Sequence, residues 1–276
     1  MTSPERLPII AHDMAGADRP QSPRRYVFKP DPHSSHSIIL RWLGDGHGRS
    51  VLDVGSADGL LSHHLTARGW RVTCLERDPE LAEAGAAHCD RMIVADLDRD
   101  IPKLEPRFDT IVYADVLEHL VDPLAALLTL NRSLAPDGQI VMSVPNVAHL
   151  WIRLSLLAGH FDYTDRGVLD RTHLRFFTNR SLLELVRAAG LSVVQSTASP
   201  APLYKVVPER WHGRLLGALD TVSAGTARLL PRVLGYQLIL RLRRDPLPNG
   251  GSPPTTVESS LAASSEHERP TGDTGA

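Results

Sequence analysis

Residues Val51–Leu61, Val-Leu-Asp-Val-Gly-Ser-Ala-Asp-Gly-Leu-Leu, constrain the fold more than any other stretch of the chain. An apolar run, an acid and then two glycines four apart read as a buried parallel strand, a tight turn and the start of a helix. Glycines in such a turn let a ligand press against backbone that a side chain would block. A second apolar run, Arg71–Leu75, ends in Glu76. It lies about twenty residues on, where nucleotide-binding α/β folds carry an acid on the ribose. Together these features describe a strand–turn–helix unit that holds a nucleoside-bearing ligand.

The same alternation continues along the chain. Strands are expected near 51–54, 71–75, 92–95, 109–114 and 139–144, with helices at 59–68, 79–87 and 122–134 between them. Asp78 followed by Pro79 reads as an N-cap with proline in the first turn. A helix from Ser181 to Ala189 ends at Gly190, and a sixth strand follows at Leu191–Gln195. A seventh strand is expected over Tyr236–Leu242, and a helix over His36–Leu43 covers the ligand end of the sheet. The fold class is therefore α/β, Rossmann-like, a mostly parallel seven-stranded sheet with helices on both faces.

Composition narrows the setting. At 276 residues the chain holds one sizeable α/β domain with appendages. A formal charge of −2 and a pI near 6.7 give no electrostatic footprint for nucleic acid. Two cysteines, Cys74 and Cys89, point to a reducing cytoplasm without a disulfide framework. No apolar stretch reaches the ~20 residues of a transmembrane span. Residues 1–24 mix proline and charge without periodicity and read as a disordered leader; 245–276 read as a disordered tail.

Details of the loop discriminate among ligands. A dinucleotide fingerprint, G-x-G-x-x-G, would need glycine where Ala57 and Leu60 stand. Asp53 places a carboxylate that repels a diphosphate and suits an ammonium or sulfonium group. The acid followed by G-x-x-x-G resembles the first motif of the class I S-adenosylmethionine-dependent methyltransferases. Four further stretches match in order: Glu76; Ile93–Leu97; Phe108–Leu120, with its Ala-Asp-Val-Leu-Glu-His-Leu; and Leu134–Asn146. The resemblance covers roughly Tyr26 to Arg244, over a methyltransferase domain at 25–244. It also makes the seventh strand antiparallel.

This resemblance implies an S-adenosyl-L-methionine cofactor, released as S-adenosyl-L-homocysteine. It puts Asp53, Gly55, Ser56, Gly59, Glu76, Asp96, Leu97 and Asp115 at that cofactor. Glu76 would take both ribose hydroxyls, Asp96 the adenine amino group and Leu97 its ring. Each residue has a plainer alternative: a strand-to-helix turn for the glycines, a helix start for Glu76, core packing for Leu97.

The block 147–175 follows the fifth strand, where substrate caps sit, and resembles that of methyltransferases of quinones, sugars and other small metabolites. The implied function is methyl transfer to a small-molecule acceptor, with a hydroxyl oxygen preferred. Rivals are a nicotinamide-dependent oxidoreductase and a non-catalytic relative of the fold that binds cofactor.

A hydroxyl nucleophile needs a base or a metal. His119 and His173 are the candidate bases facing the acceptor; for His173 the plainer reading is a polar network with Asp170 and Arg175. If a helix starts at Asp115, then Asp115, Glu118 and His119 share one face. Some quinone-pathway O-methyltransferases hold a divalent metal on a similar Glu-x-x-Glu-His set. Asp115 is one carbon short for that set, so no metal is expected. A second insertion, 204–233, carries Leu215, Leu216, Leu219 and Val222 at helical spacing. It reads as a helix on the sheet edge, a lid, a dimer face or a peripheral membrane contact. That leaves monomer and homodimer both open.

Overall fold

The structure, a computed structural model, describes residues 31–105, 107–203, 207 and 213–245. The expected leader, the first residues of the domain, parts of the 204–233 insertion and the tail after 245 lie outside the described residues. The chain divides into two compact units, Met1–Arg243 and Arg244–Ala276. Only Arg244 and Asp245 of the second are described.

The strands are β1 (Ser50–Val54), β2 (Arg71–Glu76), β3 (Arg91–Val94), β4 (Phe108–Ala114), β5 (Leu134–Pro145), β6 (Leu191–Ser199) and β7 (Gln237–Arg244). Helices α1 (Ser35–Leu43), α2 (Leu60–Thr66), α3 (Pro79–Gly85), α4 (Pro123–Leu130), α5 (Leu150–Leu157), α6 (Asn179–Ala188), α7 (Arg214–Leu229) and α8 (Pro231–Leu234) connect them. The sheet order is β3-β2-β1-β4-β5-β7-β6. The pairs β1–β2, β1–β4, β2–β3 and β4–β5 are parallel, and β7 runs antiparallel to β5. A dinucleotide-binding sheet runs 3-2-1-4-5-6 throughout. The reversed β7, wedged between β5 and β6, therefore sets this sheet apart.

Side-chain alternation along each strand divides the core between two faces. Leu52, Val54, Ile111, Tyr113, Ile140 and Met142 join Leu127 and Leu130 of α4 and Leu182 and Val186 of α6. Val51, Val72, Cys74, Val112 and Val141 face the other way, onto Ile38 and Ile39 of α1 and Leu61 and Leu65 of α2. This parity puts Asp53 on the α1–α2 side.

Helix starts follow their caps. Ser34 caps α1, Asp78 caps α3 with Pro79 behind it, and Thr178 forms a capping box with Ser181 on α6. Three expected helices are shorter: 59–68 is α2 over Leu60–Thr66 only, and the other two pass into 3₁₀ turns. Residues 79–87 end as α3 at Gly85, followed by a 3₁₀ turn; 122–134 end as α4 at Leu130, again with a 3₁₀ turn behind. The strand after it starts at Leu134, not 139. Phe108 pairs with Leu134 and Thr110 with Gln139, so residues 135–138 of β5 lie opposite the single Asp109 of β4, an irregularity that does not end the strand.

Helix α7 packs on β6, at the sheet edge. Its buried face is not the expected leucine stripe. Leu216, Asp220, Ala224 and Ala227 point inward, whereas Leu219 and Val222 are exposed. Small residues bring the helix close, and periodicity of large apolar residues does not report them.

Candidate active site

The turn after β1 is built by two glycines with different tasks. Gly55 has φ +67, and a Cβ there would meet Val116 Cγ2 at 2.6 Å. Gly55→Ala combines left-handed strain with this clash and should lower stability by about 2–4 kcal/mol; chemical denaturation at fixed pH measures it. Gly59, at φ +78, is the N-cap of α2 and lies against Gly85, where a Cβ would sit 3.0 Å from the Gly85 carbonyl oxygen. It lets α2 approach α3 and is not among the residues lining the cavity described below. Ala57 also takes positive φ, at 48°.

Asp53 is almost wholly buried, and Ser62 of α2 donates to its Oδ2 at 2.6 Å. Burial pushes its pKa up from 3.8 to about 6; the Ser62 bond opposes this and Glu76 adds to it. The sign follows from linkage. A carboxyl whose folded pKa is raised contributes stability that is complete below about pH 3.8 and is lost as pH rises through about 6. The shift corresponds to about 3 kcal/mol. Asp53→Asn should therefore raise Tm by several degrees at pH 7.5 and by almost nothing at pH 4. An equal gain at both values would contradict the assignment.

Glu76 ends β2, buried. Its Oε2 accepts from Ala57 N at 2.8 Å; its Oε1 accepts from Arg77 N at 2.9 Å and Asp78 N at 3.0 Å. One carboxylate thus ties the glycine turn to the start of α3. Ser56 Oγ and Asp58 Oδ1 are buried without a hydrogen-bond partner beside it. Asp96 stands after β3, its Oδ1 taking Asp98 N and its Oδ2 lying 3.5 Å from Arg99. Leu97 belongs both to the core and to the cavity wall, so its two readings are compatible.

Asp115 follows β4 with φ +58. Ser143 Oγ donates to its Oδ1 at 2.7 Å; Gln237 Nε2 donates to its Oδ2 at 2.7 Å, and Ser35 Oγ at 3.4 Å. This left-handed residue prevents a helix from starting at Asp115. The chain makes only a 3₁₀ turn at Leu117–His119. The expected common face of Asp115, Glu118 and His119 does not form, and the metal set read from their spacing is corrected accordingly. Asp115 locks α1, β5 and β7 together at the cavity floor.

Segment 170–175 is laced onto that 3₁₀ turn. The N–H groups of Leu174 and Arg175 both donate to the Glu118 carbonyl, at 2.8 and 2.9 Å, and the Arg175 guanidinium donates to the Val121 carbonyl. His119 Nδ1 lies 3.2 Å from the Thr172 carbonyl oxygen. His173 Nδ1 lies 3.1 Å from that of Val168. Asp170 Oδ1 accepts from the N–H and hydroxyl of Thr172. Asp170 orients Thr172, and Arg175 turns to Val121.

The two imidazoles meet edge to face, centroids 4.8 Å apart. Burial lowers the His119 pKa, and the neighbouring His173 lowers it further. Glu118 is 1% exposed. Burial raises its pKa well above the ordinary carboxylate range, with Asp115 and then Asp170 adding to the effect.

A cavity of about 550 Å³ joins these parts. Asp53, Gly55, Ser56, Glu76, Asp96, Leu97 and Asp115 line it, together with His119 and His173 and with Arg166 and Asp170 of the 147–175 block. His36 of α1 also faces it. Tyr236 and Gln237 were not legible as site residues. They arrive from the far end of the chain, and no local spacing marks them.

Sheet order, reversed β7 and the acid–glycine turn together define the Rossmann-like class I methyltransferase fold. The chain belongs to the family described as "Methyltransferase domain", which matches residues 25–196. Among curated relatives, a ubiquinone biosynthesis O-methyltransferase of Alkalilimnicola ehrlichii is 32% identical over 39% of this chain and 46% of its own length. One of Xanthomonas euvesicatoria pv. vesicatoria is 27% identical over 68% of this chain and 80% of its own. The chain thus spans about half the length of the first of these relatives. Magnesium protoporphyrin IX methyltransferase from Synechocystis PCC 6803, solved with bound S-adenosylhomocysteine, superposes with a TM-score of 0.51. It is 16% identical, over 76% of this chain and 82% of that one, a likeness of fold. Among the described residues no helix is long and apolar enough to cross a membrane.

Proposed function

We propose that the chain is an S-adenosylmethionine-dependent methyltransferase acting on a hydroxyl oxygen of a small molecule. The observation that carries this reading is the continuous cavity running from the Asp53–Gly55–Glu76 turn to His119 and His173. Its size suits a cofactor and a small acceptor, not a polymer. Relatives named as ubiquinone O-methyltransferases support oxygen as the nucleophile.

The residues fit the cofactor. Ser56 and Asp58 offer unpartnered polar atoms at a turn whose glycine leaves room for backbone approach. Glu76 keeps acceptor capacity beyond the three N–H groups it already takes. Asp53 is a buried acid suited to a cationic group. In this reading Asp53, Gly55, Ser56, Glu76, Asp96, Leu97 and Asp115 form the cofactor end, with Gly59 supporting the turn from behind. The bound cofactor supplies an electrophilic methyl on sulfur.

The chain's own part is alignment and proton removal. A carbonyl can only accept, so the Thr172 contact places the His119 proton on Nδ1 and leaves Nε2 as the base. Residues 147–175 act as the substrate cap. The free cysteines, Cys74 and Cys89, suit the cytoplasm. Exposed Trp151 and Leu157 on α5 offer an apolar surface for a peripheral membrane or for a second copy. Incubation with methyl-labelled S-adenosylmethionine and a panel of phenols, sugars and amines tests the reading. Label on a hydroxyl oxygen supports it; label only on nitrogen or carbon rejects the oxygen assignment.

A further inference from the structure

We propose that Arg166 reads an anionic group on the acceptor, so that the hydroxyl compound methylated at this site also carries a carboxylate or a phosphate. The inference rests on the methyltransferase reading and adds to it the charge of the acceptor.

Four arginines lie in the 147–175 block: Arg153, Arg166, Arg171 and Arg175. Three have partners. Arg171 pairs with Asp165 at 2.9 Å. Arg153 donates to the carbonyls of Ala148 and Arg232, and Arg175 to that of Val121. The Arg166 guanidinium has no hydrogen bond or ion pair among the described residues. It is also the one arginine of the four that lines the cavity, together with His119 and His173.

The backbone that carries Arg166 is held on both sides. Thr164 Oγ1 donates to the Arg166 carbonyl at 2.8 Å. Thr164 N donates to the Leu169 carbonyl at 2.9 Å, and Arg171 N to the Thr164 carbonyl at 3.0 Å, which closes the turn. Val168 and Leu169 are buried in a small apolar cluster with Ile152. Gly167 has φ +100 and lies so close to Tyr236 that a Cβ would meet its hydroxyl at 2.7 Å. The side chain thus leaves from an anchored turn, and little backbone freedom remains to be lost when a ligand binds.

The chemistry of the group narrows the ligand. A guanidinium has five N–H donors and no acceptor, and its planar fork matches the paired oxygens of a carboxylate or phosphate. Two acids of the same cavity do not forbid such a guest. Burial pushes the Glu118 pKa well above the ordinary carboxylate range, with Asp115 and Asp170 adding to the effect, which favours its neutral form. Asp170 Oδ1 is engaged by the N–H and hydroxyl of Thr172. The cavity's other arginine, Arg77, directly follows Glu76 and donates its backbone N–H to that carboxylate. It therefore goes with the residue assigned to the ribose, which leaves Arg166 for the acceptor.

The test titrates the full chain by calorimetry, without cofactor, against meta-hydroxybenzoate, its methyl ester and meta-hydroxyphenyl phosphate. The series is repeated for Arg166→Ala, Arg166→Lys and Arg171→Ala. One of the two anions should bind about tenfold tighter than the ester, the low end for a charge-assisted hydrogen bond. Which anion does so tells a carboxylate from a phosphate. Arg166→Ala should abolish the preference, Arg166→Lys should keep part of it as charge without the fork, and Arg171→Ala should keep it whole. With labelled S-adenosylmethionine the same preference should appear in kcat/KM, while Arg166→Ala leaves affinity for S-adenosylhomocysteine unchanged. Binding of the ester as tightly as both anions, or of neither anion, overturns the proposal. So does a preference that survives Arg166→Ala, or a loss of S-adenosylhomocysteine affinity in that variant, which would put the guanidinium on the cofactor's own carboxylate. Because the calorimetric series needs no cofactor, its result stands whether or not the chain binds S-adenosylhomocysteine.

Discussion

Replacing Glu76 with alanine lowers affinity for S-adenosylhomocysteine by an order of magnitude or more. Two losses combine. The carboxylate has about four acceptor positions, of which the backbone N–H groups of Ala57, Arg77 and Asp78 take three. Removing it frees the turn at Ala57, which already holds a positive φ of 48°. It also removes the acceptor left for a ribose hydroxyl. A hydrogen bond to a charged group is worth about 1.5–3 kcal/mol, or roughly 10- to 150-fold in affinity. Calorimetry on a variant with native circular dichroism measures the effect. Unchanged affinity would mean that the turn after β1 is not the cofactor cradle.

His119→Ala has the larger effect on rate. Removing a positioned base costs about 10²–10⁴ in turnover, while affinity for S-adenosylhomocysteine should change little, because His119 makes none of the hydrogen bonds that hold Asp53, the glycine turn or Glu76. Burial, with His173 beside it, keeps its pKa below the ordinary 6.5. The wild-type rate should therefore rise with pH through a value below 6.5 and then level off, as the neutral imidazole accumulates. Loss of that inflection in His119→Ala, together with intact cofactor binding, identifies the base. Equal loss of rate and affinity would make His119 structural.

Local patterns carried most of the fold. Each strand of the first half is a short apolar run ending at a turn, and Asp78–Pro79 marks its helix directly. The cofactor end was legible for the same reason, since Asp53, Gly55 and Glu76 sit at fixed offsets from strands that the pattern locates. The acceptor end was legible only in part. Spacing alone assumed that a helix begins at Asp115, but Ser143 and Gln237, brought by β5 and β7, hold that residue in a left-handed conformation. Pairing of His119 with His173 depends on the cap folding back from far downstream, which no periodicity encodes. The inward face of α7 escaped because alanines and a buried aspartate make it.

The central claim is that this cavity holds a sulfonium nucleoside and passes its methyl to a small acceptor. Calorimetric titration of the full chain with S-adenosylhomocysteine, with NAD as control, tests it most directly. One-to-one binding of S-adenosylhomocysteine at micromolar affinity, with no heat from NAD, is the predicted result. Binding of NAD in preference, or of neither, would contradict it.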